Sequence, residues 1–244
     1  MSWQSLAFAI VLAMALVSLG GAQQSLPAQK ILSQIAAGQP VHYDGIAITG
    51  DLDLSTLPGA QIPAAFALFN CTIPDASFEG ITFAEDAFFW GSSFGNASFQ
   101  GATFLGRADF ANTSFRQASF AGCTFYQPAL FGGALFENDL SFEDTAFGLD
   151  ASFHDVRFLG RVDFNYSDFD SYSYFAAAEF SEDAFFSDVD LSATSDFSAA
   201  TFSGQANFIR SRLSEPYFGD VLFSGQAQFA MLRFSGLTSF VGPV

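Results

Sequence analysis

Lysine is almost missing from this chain. Lys30 is the only one in 244 residues, and with the arginines it makes eight bases against 25 acids, a net charge of −17. A nucleic-acid-binding surface needs a basic patch, and none is visible, so we expect no nucleic-acid partner. Cysteine is scarce too: two residues, Cys71 and Cys123, cannot build a disulfide scaffold. His42 and His154 are the only histidines and stand far apart, which excludes a His-rich metal site. Charged residues make up 14% of the chain against about 25% in an average domain. No nucleophile elbow, HExxH helix, Gly-rich phosphate loop or EF-hand loop occurs. We therefore expect no enzyme, no catalytic residue, no metal and no cofactor. Asp168 and Asp170 form a local acidic patch that reads as a solvated corner.

Long apolar runs are also rare. The one example, Leu6 to Leu19 (LAFAIVLAMALVSL), is too short to cross a hydrocarbon core of about 30 Å comfortably. It fits the apolar stretch of a secretory signal, and Gly20-Gly21-Ala22 offers small residues for cleavage after Ala22. The leading MSWQS carries no Lys or Arg, so an uncleaved anchor stays open beside a cleaved signal over residues 1–22. Either places the chain outside the cytoplasm, secreted or at the cell surface. After signal removal no membrane span is expected.

Residues 23–40 read as a short capping helix. Ser25 is its expected N-cap, Pro27 lies in the first turn, and Gly38 follows as the C′ residue. Ile31, Leu32, Ile35 and Ala36 form its apolar face, which would cover one end of what comes next.

What is abundant is phenylalanine, with 34 residues. From Leu68 to Phe240 a large apolar centre recurs every five or six residues, as in Phe78, Phe83, Phe89, Phe94, Phe99 and Phe104. The series has 33 centres, 29 of them Phe; only Phe8, Phe66, Phe69, Phe88 and Phe185 fall off it. Two residues before each centre stands a mostly small residue, such as Ala76, Ala97, Ala118 and Ala178. A fixed period of this kind signals a repeat architecture. A helical eleven-residue supercoil does not fit, because positions 0 and 5 lie about 140° apart on a helix and the filler residues are poor helix formers.

The units Ala76-Ser77-Phe78-Glu79-Gly80, Ala97-Ser98-Phe99-Gln100-Gly101 and Ala118-Ser119-Phe120-Ala121-Gly122 resemble the pentapeptide-repeat family in its Phe-centred form. The resemblance covers residues 64–244, with an irregular first coil over 41–63 in which Ile46/Ile48 and Leu52/Leu54 keep the same two-residue spacing. It implies an all-β, right-handed quadrilateral β-helix with four repeats per coil. The chain's own arithmetic agrees. Six-residue steps at 83→89, 104→110 and 125→131 recur every 21 residues, or once per four units. From 136→142 a second six-residue step joins at the opposite corner, giving 22-residue coils, with 213→218 the one exception. We expect about eight coils and a rod roughly 40 Å long at the β spacing of about 4.8 Å.

On this lattice both cysteines point inward on opposite walls, too far apart to bridge, and are expected as buried free thiols acting as small filler. Thr82, Thr103 and Thr124 line up outward on one wall, and Ser77, Ser98, Ser119 and Ser141 on another. A third wall carries outward bulk, Phe88, Leu130, Tyr174 and Tyr217, near Trp90 and Tyr172, and is a candidate stripe for a protein partner. Asn70, Asn96, Asn112 and Asn165 begin N-x-S/T sequons and are candidate glycosylation acceptors, although the repeat itself generates the pattern. The last centres, Phe223, Phe229, Phe234 and Phe240, are followed only by Val241-Gly242-Pro243-Val244. An open β edge invites pairing, so a homodimer through this coil is expected, as in some members of the family. Two functions follow from the resemblance. One is a non-enzymatic exported scaffold for protein interactions. The other is an acidic DNA mimic that binds a type II topoisomerase, as some cytosolic members do; it suits the charge but not the export signal.

Overall fold

An inward centre flanked by outward neighbours is a period-two pattern, and an extended chain meets it. In the computed structural model, which describes residues 23–56 and 61–240, the repeats form short strands, most of them two residues long. Every pairing is parallel and joins a strand to one a coil away. Phe94 lies beside Phe115, 21 residues on, and Phe136 beside Phe158, 22 residues on. The result is an all-β parallel solenoid with four walls. Wall 1 carries Phe78, Phe99 and Phe120; wall 2 Phe83, Phe104 and Phe125; wall 3 Phe89, Phe110 and Phe131; wall 4 Phe94, Phe115 and Phe136. The turns number about nine, one more than the repeat count implies. The irregular lead-in supplies the extra turn, since Leu52 and Asp53 pair with Ala76 and Ser77, and Gln61 and Ile62 with Thr82 and Phe83.

The rings fill the interior in two ways. Within a wall they stack nearly parallel from coil to coil, as Phe99 does on Phe120 at 4.8 Å and 2°. Across the axis, walls 1 and 3 meet edge to face, as in Phe120–Phe131 at 5.2 Å and 86°. Both are arrangements that the ring quadrupole favours. Phe66, one of the five off the lattice, is fully buried as well, in the wall-3 position that Ala87 fills one coil up. It fills space that the aliphatic first coil leaves.

Two opposite corners, after walls 1 and 3, turn through a residue with positive φ two places beyond the centre. Gly80, Gly101, Gly122 and Asp144 serve wall 1, and Asn70, Gly91, Asn112 and Gly133 serve wall 3. The extra residue of the six-residue steps falls at the other two corners. The exception at 213→218 sits where Arg212–Tyr217 pairs with the longer Asp190–Asp196 through register shifts, so the missing residue is absorbed as a bulge.

The residue after each positive-φ corner points inward, and where it is polar it has a task. Ser92, Thr113, Thr145 and Ser167 donate to the carbonyls of Leu68, Phe89, Phe120 and Phe142 one coil below, at 2.6–3.0 Å. The cysteines belong to this set. They are buried and free, as expected, but they are more than filler: Cys123 donates to Phe99 one coil below at 2.9 Å, while Cys71 donates to Phe69, two residues back in its own coil, at 3.2 Å and at longer range to Tyr43 one coil below at 3.7 Å. Burial pushes the Cys123 thiol up to about 12, so it stays protonated and unreactive.

Two inward hydroxyls break this rule. Ser173 and Ser195 stack on wall 3 with no hydrogen-bond partner, above Ala151 in the same column. An unsatisfied buried hydroxyl costs about 1–3 kcal/mol, and alanine already fits this column. Ser173→Ala should therefore stabilise the protein by about 1 kcal/mol, raising Tm by about 3 °C for a chain of this size. Calorimetry checks it; a lower Tm would show that the hydroxyl has a partner.

The N-terminal helix, α1, runs Ala28–Ala36 and buries Ala28, Ile31, Leu32 and Ile35, a spacing of three and four along one face. Two expectations are corrected here. Pro27, not Ser25, occupies the N-cap; Ser25 lies in a strand, Ser25–Pro27, paired with Ala47–Thr49. Ala36 is exposed, and Ala28 takes its place in the apolar face. Gly38 closes the helix as expected, at φ 65, with Gly38 N–H donating to Ile35 and Gln39 N–H to Gln34, both at 2.9 Å. The expected signal over residues 1–22 lies outside the described residues.

Candidate partner surfaces

On wall 3 the outward column before each centre reads, coil by coil, Ala67, Phe88, Asp109, Leu130, Ser152, Tyr174, Asp196, Tyr217, Ser239. The four bulky residues of the expected stripe share this column, but they do not touch. Large and small or polar residues alternate, so bulk recurs every second coil. Trp90 and Tyr172 do not join the stripe as one patch; they flank the column on opposite margins, four coils apart. Phe88 and Phe185 face outward and half-buried, while Phe89 and Phe186 are fully inside.

Exposure rises along the column. Tyr174 is 38% exposed and Tyr217 43%, and Tyr172 stacks beside Tyr174 at 6.1 Å. Tyr217 lies over Gly219, where a Cβ would fall 2.7 Å from its hydroxyl. Desolvation, then Asp150, Tyr172 and Asp196 nearby, hold the Tyr174 phenol above its usual value. At the lower end of the column Arg107 ion-pairs with Asp109 at 2.7 Å, and its guanidinium lies 5.9 Å above the Phe88 ring. Sequence reasoning missed this unit. The bases and the aromatic stripe were each visible, but their meeting depends on coil register.

The expected acidic patch is real but ordinary. Burial first, then Asp190, Asp170 and Asp144, raise the Asp168 carboxyl. Asp190 pairs with Arg212 on the same wall. Among the described residues no group of three or more His, Cys, Asp or Glu could hold a metal ion. The acids also spread over all four walls: Asp163 on wall 1, Asp168 on wall 2, Asp196 on wall 3 and Glu179 on wall 4. No described helix is long and apolar enough to cross a membrane.

The sequon asparagines are engaged in the folded chain. Asn70 and Asn112 occupy positive-φ corners. Asn70 donates to Asp44, Asn96 donates to Asp75 and accepts from Arg116, and Asn165 accepts from the Ser187 N–H. Ser167, the hydroxyl of the last sequon, is fully buried. At the C-terminal end Phe223 is half-buried, while Phe229, Phe234 and Phe240 are 39%, 47% and 63% exposed. Leu237 and Met231 stand beside them, also exposed.

The family described as pentapeptide repeats (nine copies) matches in overlapping placements, 68–114, 89–131, 110–148 and 120–168. No curated protein matches. Among solved structures, HetL, a pentapeptide-repeat protein involved in heterocyst differentiation regulation in the cyanobacterium Nostoc sp. strain PCC 7120, is 14% identical. The match covers 85% of this chain and 94% of that one, at a TM-score of 0.31. A trypsin-treated form of QnrB1, a plasmid-mediated fluoroquinolone resistance protein, is 18% identical over 67% of this chain and 90% of that one, at 0.20. The matched residues, 68–168, are pentapeptide repeats, and they lie within a solenoid whose coils continue in the same register on both sides.

Proposed function

We propose that this pentapeptide-repeat scaffold is exported, has no catalytic role and acts by holding a protein partner along wall 3. The observation that carries this reading is the column of exposed bulk on that wall, since tyrosine side chains left in water on a rigid wall mark a contact surface. The apolar stretch Leu6–Leu19 supports export. The exposed rings of Phe229, Phe234 and Phe240 support association with a second copy through the terminal coil. The net charge of −17 favours the second reading, an acidic DNA mimic that binds a type II topoisomerase in the cytosol. Spread over four walls, with four acids paired to arginines, that charge makes no single stripe resembling a phosphate backbone.

The test is to express the full chain, fractionate the cells and sequence the N-terminus of the recovered protein. We expect an extracytoplasmic form beginning at Gln23. A photo-crosslinker placed in turn on each wall should then capture a protein partner from wall 3. A chain found in the cytosol that inhibits DNA supercoiling would overturn the reading.

A further inference from the structure

The first aromatic–acid unit of wall 3 shows what such a unit binds. Phe88 and Asp109, on consecutive coils of one outward column, hold a guanidinium between ring and carboxylate, that of Arg107. The unit recurs higher up. Tyr174 and Asp196 are again consecutive in the same column. Arg107 stands three residues before the centre Phe110; the matching position before Phe197 is Thr194. Here, then, the ring and carboxylate stand without an arginine of the chain, and none of the four ion pairs among the described residues involves Asp196. Asp196 keeps its place by accepting the Ser198 N–H at 2.8 Å.

We infer that Tyr174 and Asp196 form the seat for an arginine of a partner, carried on a proline-rich segment that lies along wall 3. The inference rests on the scaffold reading and names the partner's chemistry. Arginine follows from the unit below, because a planar guanidinium can stack on a ring while it hydrogen-bonds a carboxylate. The polyproline conformation follows from spacing. Leu130, Tyr174 and Tyr217 recur every second coil, about 10 Å at β spacing. A polyproline II helix repeats every three residues, about 9 Å. An extended β-strand repeats its side chains about every 7 Å and falls out of step. Aromatic side chains that line a seat for a preformed polyproline helix are a recurring mode of recognition. Charge agrees, since Asp150 and Asp196 beside Tyr174 face a segment that brings positive charge.

The probe is a fluorescein-labelled (Pro-Pro-Arg)4 peptide, titrated with the full chain in fluorescence anisotropy. We expect saturable binding that weakens about tenfold with Asp196→Asn, as loss of one charge-assisted hydrogen bond predicts. Tyr174→Ala should weaken it similarly, and Asp75→Asn on wall 1 should leave it unchanged. The peptide with citrulline for arginine, which keeps the shape and loses the charge, should bind at least about tenfold more weakly. Equal binding of the citrulline peptide would overturn the inference. So would an equal loss with Asp75→Asn, which would reduce the effect to net charge, or binding of a linear β-1,4-glucan hexasaccharide in place of the peptide. If no peptide binds but a crosslinker on wall 1, 2 or 4 captures a protein partner, the inference fails while a scaffold role survives on another wall. If no wall captures a partner, the scaffold reading itself fails.

Discussion

Phe131→Ala should lower the unfolding free energy by about 4 kcal/mol, while Phe240→Ala should cost about 1 kcal/mol or less. Phe131 is fully buried at mid-rod. Its ring stacks on Phe110 below and Phe153 above, each at 5.0 Å. It also meets Phe120 and Phe142 edge to face at 5.2 and 5.3 Å. Truncation removes the transfer energy of the ring and leaves a cavity. The walls cannot collapse into that cavity, because each neighbouring ring hangs from a strand held by coils on both sides. With Phe125 and Phe136, which it meets at 6.2 and 6.4 Å, six ring pairs are lost as well, each worth up to about 0.5–1.5 kcal/mol beyond its buried area. Phe240 is 63% exposed and stacks on Phe218 alone within its wall, at 5.2 Å. A solenoid is coupled coil to coil, so the Phe131 variant should also melt over a broader denaturant range, the two halves of the rod partly uncoupled. Urea unfolding followed by circular dichroism tests both statements. Equal costs for the two variants would refute the view that ring stacks through the interior hold the rod together.

Much of this core is legible in the amino-acid sequence itself. The wall of every centre follows from counting fives and sixes, because each coil must place its residues over those below. The location of the extra residues at two opposite corners was legible for the same reason. Residues outside the strict repeat were harder to place. Phe66 broke the five-residue rhythm, yet it lies inside, since its position depends on what the first coil fails to fill. Ser25 looked like an N-cap because its side chain suits that role, but pairing with Ala47–Thr49 claims it for a strand. Tertiary pairing outranks a local capping preference here.

The candidate surface was legible only as a set of residues. Phe88, Leu130, Tyr174 and Tyr217 could be assigned to one wall from spacing. Their alternation with Asp109, Ser152 and Asp196 needed the coil register read as a continuous column. The Arg107–Phe88–Asp109 unit joins residues from neighbouring coils. It is therefore invisible to any motif search along the chain, as is the matching pair Tyr174 and Asp196 four coils up. The hydrogen-bonded inward residues Ser92, Thr113, Cys123, Thr145 and Ser167 carry a local signal that spacing alone could have supplied: each follows a left-handed corner, where a centre carbonyl from the coil below comes within reach.

Gly95→Ala should cost about 3 kcal/mol or more, and Gly101→Ala only about 1 kcal/mol, although both replace a glycine near a corner with the smallest side chain. The two sites separate crowding from backbone torsion. Gly95 lies in the strand Ser93–Ser98, which pairs with Thr72–Ser77 in the coil below. A Cβ at Gly95 would sit 1.9 Å from the carbonyl oxygen of Pro74. That atom is backbone, fixed between Ile73 and Asp75, which pair with Phe94 and Asn96 on either side of Gly95, so relief requires the two coils to part locally. Gly101 has the opposite character. Its φ is 66, a left-handed conformation, but nothing lies within 4 Å of the position a Cβ would take. Its penalty is torsional alone, and the chain already tolerates it, since Ala177 and Ala199 adopt φ 55 at corners of the same kind. The coils on both sides of Gly95 also carry larger residues at the matching corner, Pro74 and Arg116, which a family profile would read as permission for alanine. The contact geometry forbids it, because the clash comes from how the Pro74 carbonyl is aimed in this one coil. Urea unfolding of the two variants decides the matter; equal costs, or a larger cost at Gly101, would show that the ladder yields at Gly95 more easily than its parallel pairing implies.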